Sequence, residues 1–229
     1  MAKTYAFLLA GGTGSRLNKT VPKQFLAISR KPILAYSLEK FNSLNIIDQI
    51  ILVIPDGYLS KVNKIIKKYK ITKAVKIIIG GATRQESVYK ALSFNFFQNK
   101  DFIIIHDTAR PFVRTDLIKK CYQEIKSHKA VGLYVPVKET IAEVNLKLIS
   151  KTLCRDKLYQ AQTPQAFTYQ IIKKAHEKAL KRKEFDSSDD VSLVHKAGYK
   201  VKKAEGSYQN IKITSLEDLF LARIMAKKG

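Results

Sequence analysis

The sequence predicts an α/β fold built on a mostly parallel sheet, with helices on both faces and a projecting β-arm. Three observations carry that reading. Short apolar runs alternate with longer amphipathic stretches, the chemically unusual residues gather in loops directly after those runs, and the alternation breaks once, at residues 139–151.

Taken in order, Tyr5–Ala10 reads as the first strand and Ile33–Asn42 as the first helix, opened by Pro32 at a favoured N1 position. Strands follow at Ile50–Ile54, Val75–Ile79, Phe102–Ile105 and Val131–Val137, with helices between them at Leu59–Lys68, Arg84–Phe97 and Leu117–Lys126. Two helix starts carry capping boxes, Thr83-x-x-Glu86 and Thr214-x-x-Glu217. Ile141-Ala142-Glu143-Val144 and Leu148-Ile149-Ser150, joined by Asn145-Leu146-Lys147, read as an extended hairpin leaving the main sheet. Helices at Tyr169–Lys181 and Asp189–Lys196 flank the charged loop Arg182–Ser188, and a last helix covers Leu216–Ala226.

A chain of 229 residues with 45% apolar and 27% charged residues has a core to bury, which excludes collagen-like, disulfide-dense and disordered classes. We read residues 1–229 as one domain, with the arm at about 139–155. No run approaches the ~18 apolar residues of a membrane helix, and Tyr5–Ala10 meets Gly11-Gly12 where a signal peptide would prepare its cleavage site. The expected location is therefore cytoplasmic, with no membrane partner. Cys121 and Cys154 form no CxxC pattern and read as reduced, buried thiols. The 42 Lys+Arg against 19 Asp+Glu give a formal charge of +23, which favours anionic partners: nucleic acid, an acidic membrane surface or phosphorylated small molecules. The lysines recur along the whole chain without aromatic interleaving, which argues against nucleic acid and for solvated faces.

Open α/β sheets bind ligands at the carboxyl ends of their strands, and three loops there concentrate the chemistry. The first runs from Leu9-Ala10-Gly11-Gly12-Thr13-Gly14-Ser15-Arg16-Leu17 to Pro22-Lys23-Gln24-Phe25. Its glycines let the backbone approach a ligand and turn N–H groups toward phosphate oxygens. No Gly-Lys-Ser/Thr closes it as in a Walker A loop, and Leu17 stands where a dinucleotide fingerprint needs its third glycine. A bare glycine turn is the competing reading, but Arg16 and Lys23 add two fixed positive charges that suit a triphosphate. The second loop, Gly80-Gly81-Ala82-Thr83-Arg84-Gln85-Glu86-Ser87, reads equally as backbone donors and a Ser87 hydroxyl for a nucleoside or as a glycine turn before a capped helix. The third, His106-Asp107-Thr108-Ala109-Arg110-Pro111, sets Asp107 at the tip of a central strand, a natural Mg²⁺ ligand, while His106 reads as a structural histidine. No histidine has metal-ligand spacing, and no Ser/His/Asp set with a nucleophile elbow occurs.

Gly11-Gly12-x-Gly14-x-Arg16 with Pro22-Lys23-Gln24, Gly80-Gly81-x-x-Arg84-x-x-Ser87-Val88, His106-Asp107-x-Ala109-Arg110-Pro111, Gln162-Thr163-Pro164-Gln165 and Asn210-Ile211-Lys212 follow one another in register from about residue 5 to 220. Together they resemble the 2-C-methyl-D-erythritol 4-phosphate cytidylyltransferase family. The resemblance implies a Rossmann-like nucleotidyltransferase fold whose β-arm exchanges with its twin in a homodimer, so that Glu139–Lys151 becomes a dimerisation arm. It further implies that CTP and a polyol phosphate are the small-molecule partners. The triphosphate would lie on Ala10, Gly11, Gly12, Thr13 and Gly14, with Arg16, Lys23 and Lys212 as catalytic cations. Cytosine and ribose would sit on Gly81, Ala82 and Ser87, and Asp107 would hold Mg²⁺. Arg110, Thr140 and Arg155 would grip the sugar phosphate, some of them from the other subunit. Three departures from the family pattern stand out: Ala10-Gly11-Gly12 replaces a double alanine and glycine, Ala82 sits where an acid is frequent, and Gln209 precedes Asn210 where some members have aspartate. The last leaves Asp107 as the better-supported acidic metal partner.

The chemistry the resemblance implies is set by charge. A phosphate monoester is largely dianionic at pH 7 and can attack the α-phosphorus of CTP without a general base, so the protein must overcome repulsion between anions. Two other readings stay open: a cytidylyltransferase for another polyol phosphate such as ribitol 5-phosphate, and a basic nucleic-acid-binding protein on a degenerate nucleotidyltransferase fold. Replacing Arg16 or Lys23 with alanine is expected to lower kcat by about 10²–10³ while folding survives. Wild-type CTP turnover by both variants would remove the triphosphate assignment.

Overall fold

Odd and even positions of the strands diverge to opposite sides of one seven-stranded sheet, and each side collects its own helices. The computed structural model describes residues 2–12, 21–73 and 75–227. In chain order the elements begin with β1 (Thr4–Leu9), a small hairpin of β2 (Ala27–Ile28) and β3 (Lys31–Pro32), α1 (Ile33–Asn42) and β4 (Gln49–Ile54). They continue with α2 (Leu59–Lys68), β5 (Val75–Ile79), α3 (Arg84–Leu92), β6 (Phe102–Asp107), α4 (Thr115–His128) and β7 (Ala130–Pro136). The arm is β8 (Ala142–Asn145) and β9 (Leu148–Thr152), and the chain closes with β10 (Tyr159–Thr168), α5 (Tyr169–Lys181), α6 (Asp190–Lys196), β11 (Lys202–Glu205) and α7 (Leu216–Met225).

The sheet order is β11-β7-β10-β6-β1-β4-β5. The strand β10 is antiparallel to both its neighbours, β6 and β7, and the other pairings are parallel. Ala6, Leu8, Ile50, Leu52 and Ile104 pack with α1, α2 and α4 on one face. Their sequence neighbours Tyr5, Phe7, Ile51, Val53, Ile103 and Ile105 pack with α3, α5 and α6 on the other. A strand buried on both faces needs an unbroken apolar run, which is why the central strands were legible as such.

The structure departs from the sequence reading at several places. Neither β10 nor β11 is expected from the pattern. The sequence of β10 is polar and contains Pro164, which cannot donate to a ladder. The strand accommodates it with a register shift between Gln162 and Gln165, where the Thr163–Pro164 peptide is cis. Strand β6 runs two residues past Ile105, because His106 and Asp107 stay paired with Leu8 and Leu9 of β1. Helix α3 stops at Leu92 rather than Phe97, since Phe94, Phe96 and Phe97 leave the helix to form an aromatic cluster with Tyr5, Phe7 and Tyr169. Thr83 caps α3 as expected, but the C-terminal capping box is Ser215–Asp218, one residue beyond the expected pair. There the Asp218 carboxylate gathers the backbone N–H groups of both Thr214 and Ser215.

The arm forms where expected, and every residue of its two strands is exposed. Its turn residues Leu146 and Lys147 both have positive φ, 47° and 73°, the signature of a tight hairpin turn without the glycine or asparagine that usually supplies it. Cys121 is buried on the inner side of α4, whereas Cys154 is exposed at the root of the arm, against the expectation that both thiols are buried. An element that leaves the domain has no core in which to bury a thiol. Burial pushes the Cys121 thiol up to about 12.

Candidate active site

The carboxyl ends of β1 and β6 lie side by side, so the first and third loops meet over the sheet. Ala10 continues β1 into the loop, donating its N–H to the Val53 carbonyl at 2.7 Å, and its own carbonyl accepts from the Gln24 side-chain amide. Ala10 is buried at the end of the strand and is not among the residues lining the cavity described next. That contact also fixes the return leg, where Lys23 reaches the Ile213 carbonyl through its ammonium at 3.1 Å. Thr13, Gly14 and Arg16 fall outside the described residues.

Gly11, Gly12, Lys23, Gly81, Ala82, Ser87, Asp107 and Lys212, all singled out from the sequence, line one cavity of about 290 Å³. In the second loop the hydrogen bonds follow the second of its two readings, a glycine turn before a capped helix. The Gly81 N–H donates to Ser87 Oγ at 3.0 Å, and the Ala82 N–H donates to the Glu86 carboxylate at 2.7 Å. These backbone donors are spent on the start of α3, and the Ser87 hydroxyl in turn donates to the Thr83 carbonyl. Gly81 leaves room for the Glu86 side chain, since a Cβ there would come within 2.3 Å of Glu86 Cδ.

Asp107 closes the cavity on its far side. One carboxylate oxygen accepts from Arg84 Nε at 3.1 Å and the other from Lys212 Nζ at 2.7 Å. Burial alone would raise its pKa, but Arg84 and Lys212, with Arg110 nearby, hold it well below the usual carboxylate range. Arg84 is itself anchored from behind, with Nη1 2.7 Å from a carboxylate oxygen of Asp190, while Asp190 Oδ1 meets His176 Nε2 at 3.2 Å. Asp190 is fully buried and its pKa is lowered by Arg84 and His176 against the effect of burial. The Arg84 Nη2 is buried without a hydrogen-bond partner.

His106 has the structural role expected of it. Burial lowers its pKa to about 3, so it stays neutral. Its Nε2 lies 3.2 Å from the Arg110 carbonyl, an acceptor only, which assigns the ring proton to Nε2 and leaves Nδ1 to accept from Thr163 Oγ1 at 3.1 Å. The Thr163 hydroxyl oxygen also accepts the Asp107 N–H at 3.0 Å.

A second cavity, of about 320 Å³, lies on the other side of this wall and shares Arg84, Asp107 and Lys212 with the first. Arg110 lines it, braced by the Asn210 carbonyl at 2.7 Å. The sequence reading missed several of its residues: Tyr134, Ala161, Asp189 and Ser192, and also Arg84, which the motifs contained without a role. Two adjacent aspartates in a lysine-rich chain were the available signal for Asp189 and Asp190. Gln165 explains the position of α6, because its side-chain amide oxygen accepts from the backbone N–H groups of Asp190 and Val191 at 3.2 Å each. Thr140 and Arg155 line neither cavity within this chain. Both are exposed at the root of the arm, where Arg155 donates to the Lys138 carbonyl at 3.2 Å.

Residues 4–228 match the family model of 2-C-methyl-D-erythritol 4-phosphate cytidylyltransferase. The chain belongs to this family. It is 41% identical over 223 residues to the cytidylyltransferase of that name from Clostridium novyi, covering 96% of this chain and 94% of the relative. The Clostridium botulinum protein is 40% identical over 229 residues, 100% of this chain and 99% of its own. Among solved structures, 4-diphosphocytidyl-2C-methyl-D-erythritol synthase from Anaerococcus prevotii superposes with a TM-score of 0.85 at 29% identity, covering 99% of this chain and 96% of that one. The Francisella tularensis cytidylyltransferase superposes at 0.81 with 31% identity, covering 97% and 99%. The cytidylyltransferase fold thus extends over the whole described chain, and among the described residues no helix is long and apolar enough to cross a membrane.

Because its folded-state pKa lies below the unfolded value of about 3.9, the ionised Asp190 contributes stability that is complete above that pH and is lost as pH falls. Asp190→Asn is expected to cost about 3–5 kcal/mol at pH 7, as for a broken buried pair. The difference from wild type should shrink as pH falls below about 4, measured by urea unfolding across pH; a constant difference would contradict the ion-pair assignment.

Proposed function

We propose that this chain transfers the cytidylyl group of CTP to 2-C-methyl-D-erythritol 4-phosphate, giving CDP-methylerythritol and pyrophosphate in isoprenoid precursor synthesis, and that it works in the cytoplasm as a Mg²⁺-dependent homodimer. The observation that carries the reading is the pair of cavities meeting at one wall of Arg84, Asp107 and Lys212. A nucleotide in the first cavity and a phosphate-bearing acceptor in the second would meet across that wall, the geometry an in-line displacement needs.

The acceptor phosphate is its own nucleophile. No base is required, in keeping with a His106 whose ring nitrogens face Arg110 and Thr163. Lys23, Lys212 and Arg16 neutralise the triphosphate, and Arg110 with Arg84 draws the second anion in. Among the described residues no cluster of three or more His, Cys, Asp or Glu could cage a metal. Asp107, an ionised carboxylate lining both cavities, is the residue that would hold Mg²⁺. What Mg²⁺ supplies when bound is charge, polarising the phosphoryl oxygens and easing departure of pyrophosphate. Lys212 is the more exposed of the two cations on Asp107, 39% against 22% for Arg84, so it is the one that moves from carboxylate to phosphate when nucleotide arrives.

The homodimer reading rests on the arm. A free two-stranded hairpin is marginal in water, and this one exposes Val144, Leu146, Leu148 and Ile149 by 60–91%. Pairing with a twin would cover them and carry Thr140 and Arg155 to the partner's acceptor cavity.

Deleting Ile141–Ser150 is expected to give monomers and to raise KM for the sugar phosphate more than for CTP; a light-scattering mass of one subunit for the intact protein would defeat the dimer. The acceptor is tested by pyrophosphate release with each polyol phosphate under identical Mg²⁺ and CTP. We expect kcat/KM for methylerythritol phosphate to exceed that for ribitol 5-phosphate at least about tenfold, because unpaired polar groups reject a mismatched acceptor. A higher value for ribitol phosphate would reassign the substrate.

A further inference from the structure

Most of the residues that line the second cavity carry charged or hydrogen-bonding groups. Within it Tyr134 of β7 and its cross-strand partner Ala161 of β10 sit side by side on the same face of the sheet. Gly132, two residues earlier on that face, makes room for the ring. A Cβ at Gly132 would come within 2.8 Å of Tyr134 Cε2 and 2.9 Å of Val191 Cγ2, so the absent side chain is what allows the ring to lie along the strand toward α6.

An acceptor with a phosphate, several hydroxyls and one branch methyl poses a specific problem to such a cavity. Hydroxyls and phosphate find partners anywhere along the polar lining. A methyl pressed against that lining leaves a polar atom desolvated and unpaired, whereas against a ring face and a methyl it removes apolar surface from water. Among the residues that line the cavity, Tyr134 and Ala161 are the ones that bring a ring face and a bare methyl group together.

We propose that the Tyr134 ring, with the Ala161 methyl, seats the C2 branch methyl of the acceptor and is the element by which this enzyme prefers methylerythritol phosphate to the same sugar phosphate without the methyl. The inference rests on the acceptor occupying the second cavity.

The test compares kcat/KM for 2-C-methyl-D-erythritol 4-phosphate and D-erythritol 4-phosphate in wild type and variants, with CTP and Mg²⁺ saturating. In wild type the methyl-bearing acceptor is expected to be preferred about tenfold or more, the scale of one methyl group in an apolar contact. Tyr134→Phe keeps that ratio, because the ring and not the hydroxyl makes the seat. Tyr134→Ala lowers the ratio toward one; Tyr134→Gln, which keeps the length of the side chain, does the same and serves if the alanine variant does not fold. Because the readout is a ratio, a general loss of activity does not imitate the effect. An unchanged ratio in the Ala or Gln variant overturns the proposal, as does loss of the preference in Tyr134→Phe. A wild type that transfers to neither acceptor would instead overturn the acceptor reading on which it stands.

Discussion

A carboxylate that is buried and ionised must be held by opposite charge, and at Asp107 that requirement organises the end of the sheet where the two cavities lie. Arg84 takes one oxygen and Lys212 the other, so the tip of β6, the first residue of α3 and the segment before α7 converge on one group. Arg84 could not be buried on Asp107 alone without excess positive charge, and Asp190 supplies the balance from the first turn of α6. His176 closes the chain from α5. Elements far apart in sequence are thereby locked to a common centre by the cost of leaving any one of these charges unpaired.

The same centre divides the clefts. Because Asp107, Arg84 and Lys212 line both cavities, any shift of the wall alters both sites at once. Its backbone support comes from β10, the one strand running against the others. The irregular stretch Gln162–Gln165 presents Thr163 to Asp107 and His106 and presents Gln165 to the start of α6. A regular strand would point Thr163 and Gln165, two positions apart, to the same face and could not serve both neighbours. The interruption in the ladder at Pro164 is therefore what makes the strand useful to the site.

The arm follows a different logic. The helices α1 to α6 bury apolar surface against the sheet, whereas β8 and β9 carry exposed valine, leucine and isoleucine into solvent. The small cluster of Ile28, Ile33, Ile213, Leu219 and Ala222 shows the contrast, because there α7 covers the hairpin of β2 and β3. An apolar element built without a cover inside its own chain is a demand for one outside it.

Local patterns determined much of this protein. Unbroken apolar runs marked the central strands because both faces are buried, and the glycine loops and Asp107 were recognisable because their residue types are needed at fixed distances along the chain. Five motifs in order identified the family. What the tertiary structure alone decided were pairings between distant residues. Lys212 and Asp107 are 105 positions apart, and nothing near either one specifies the other. Strand β10 was hidden because its polar residues are satisfied by α6 and by Asn210 rather than by local structure. Helix α3 ended early because the phenylalanines after it found aromatic partners on β1 and at the start of α5. Periodicity and spacing report what a residue needs from its neighbours in sequence; a buried charge or a polar strand is settled by neighbours in space, which only the folded chain brings together.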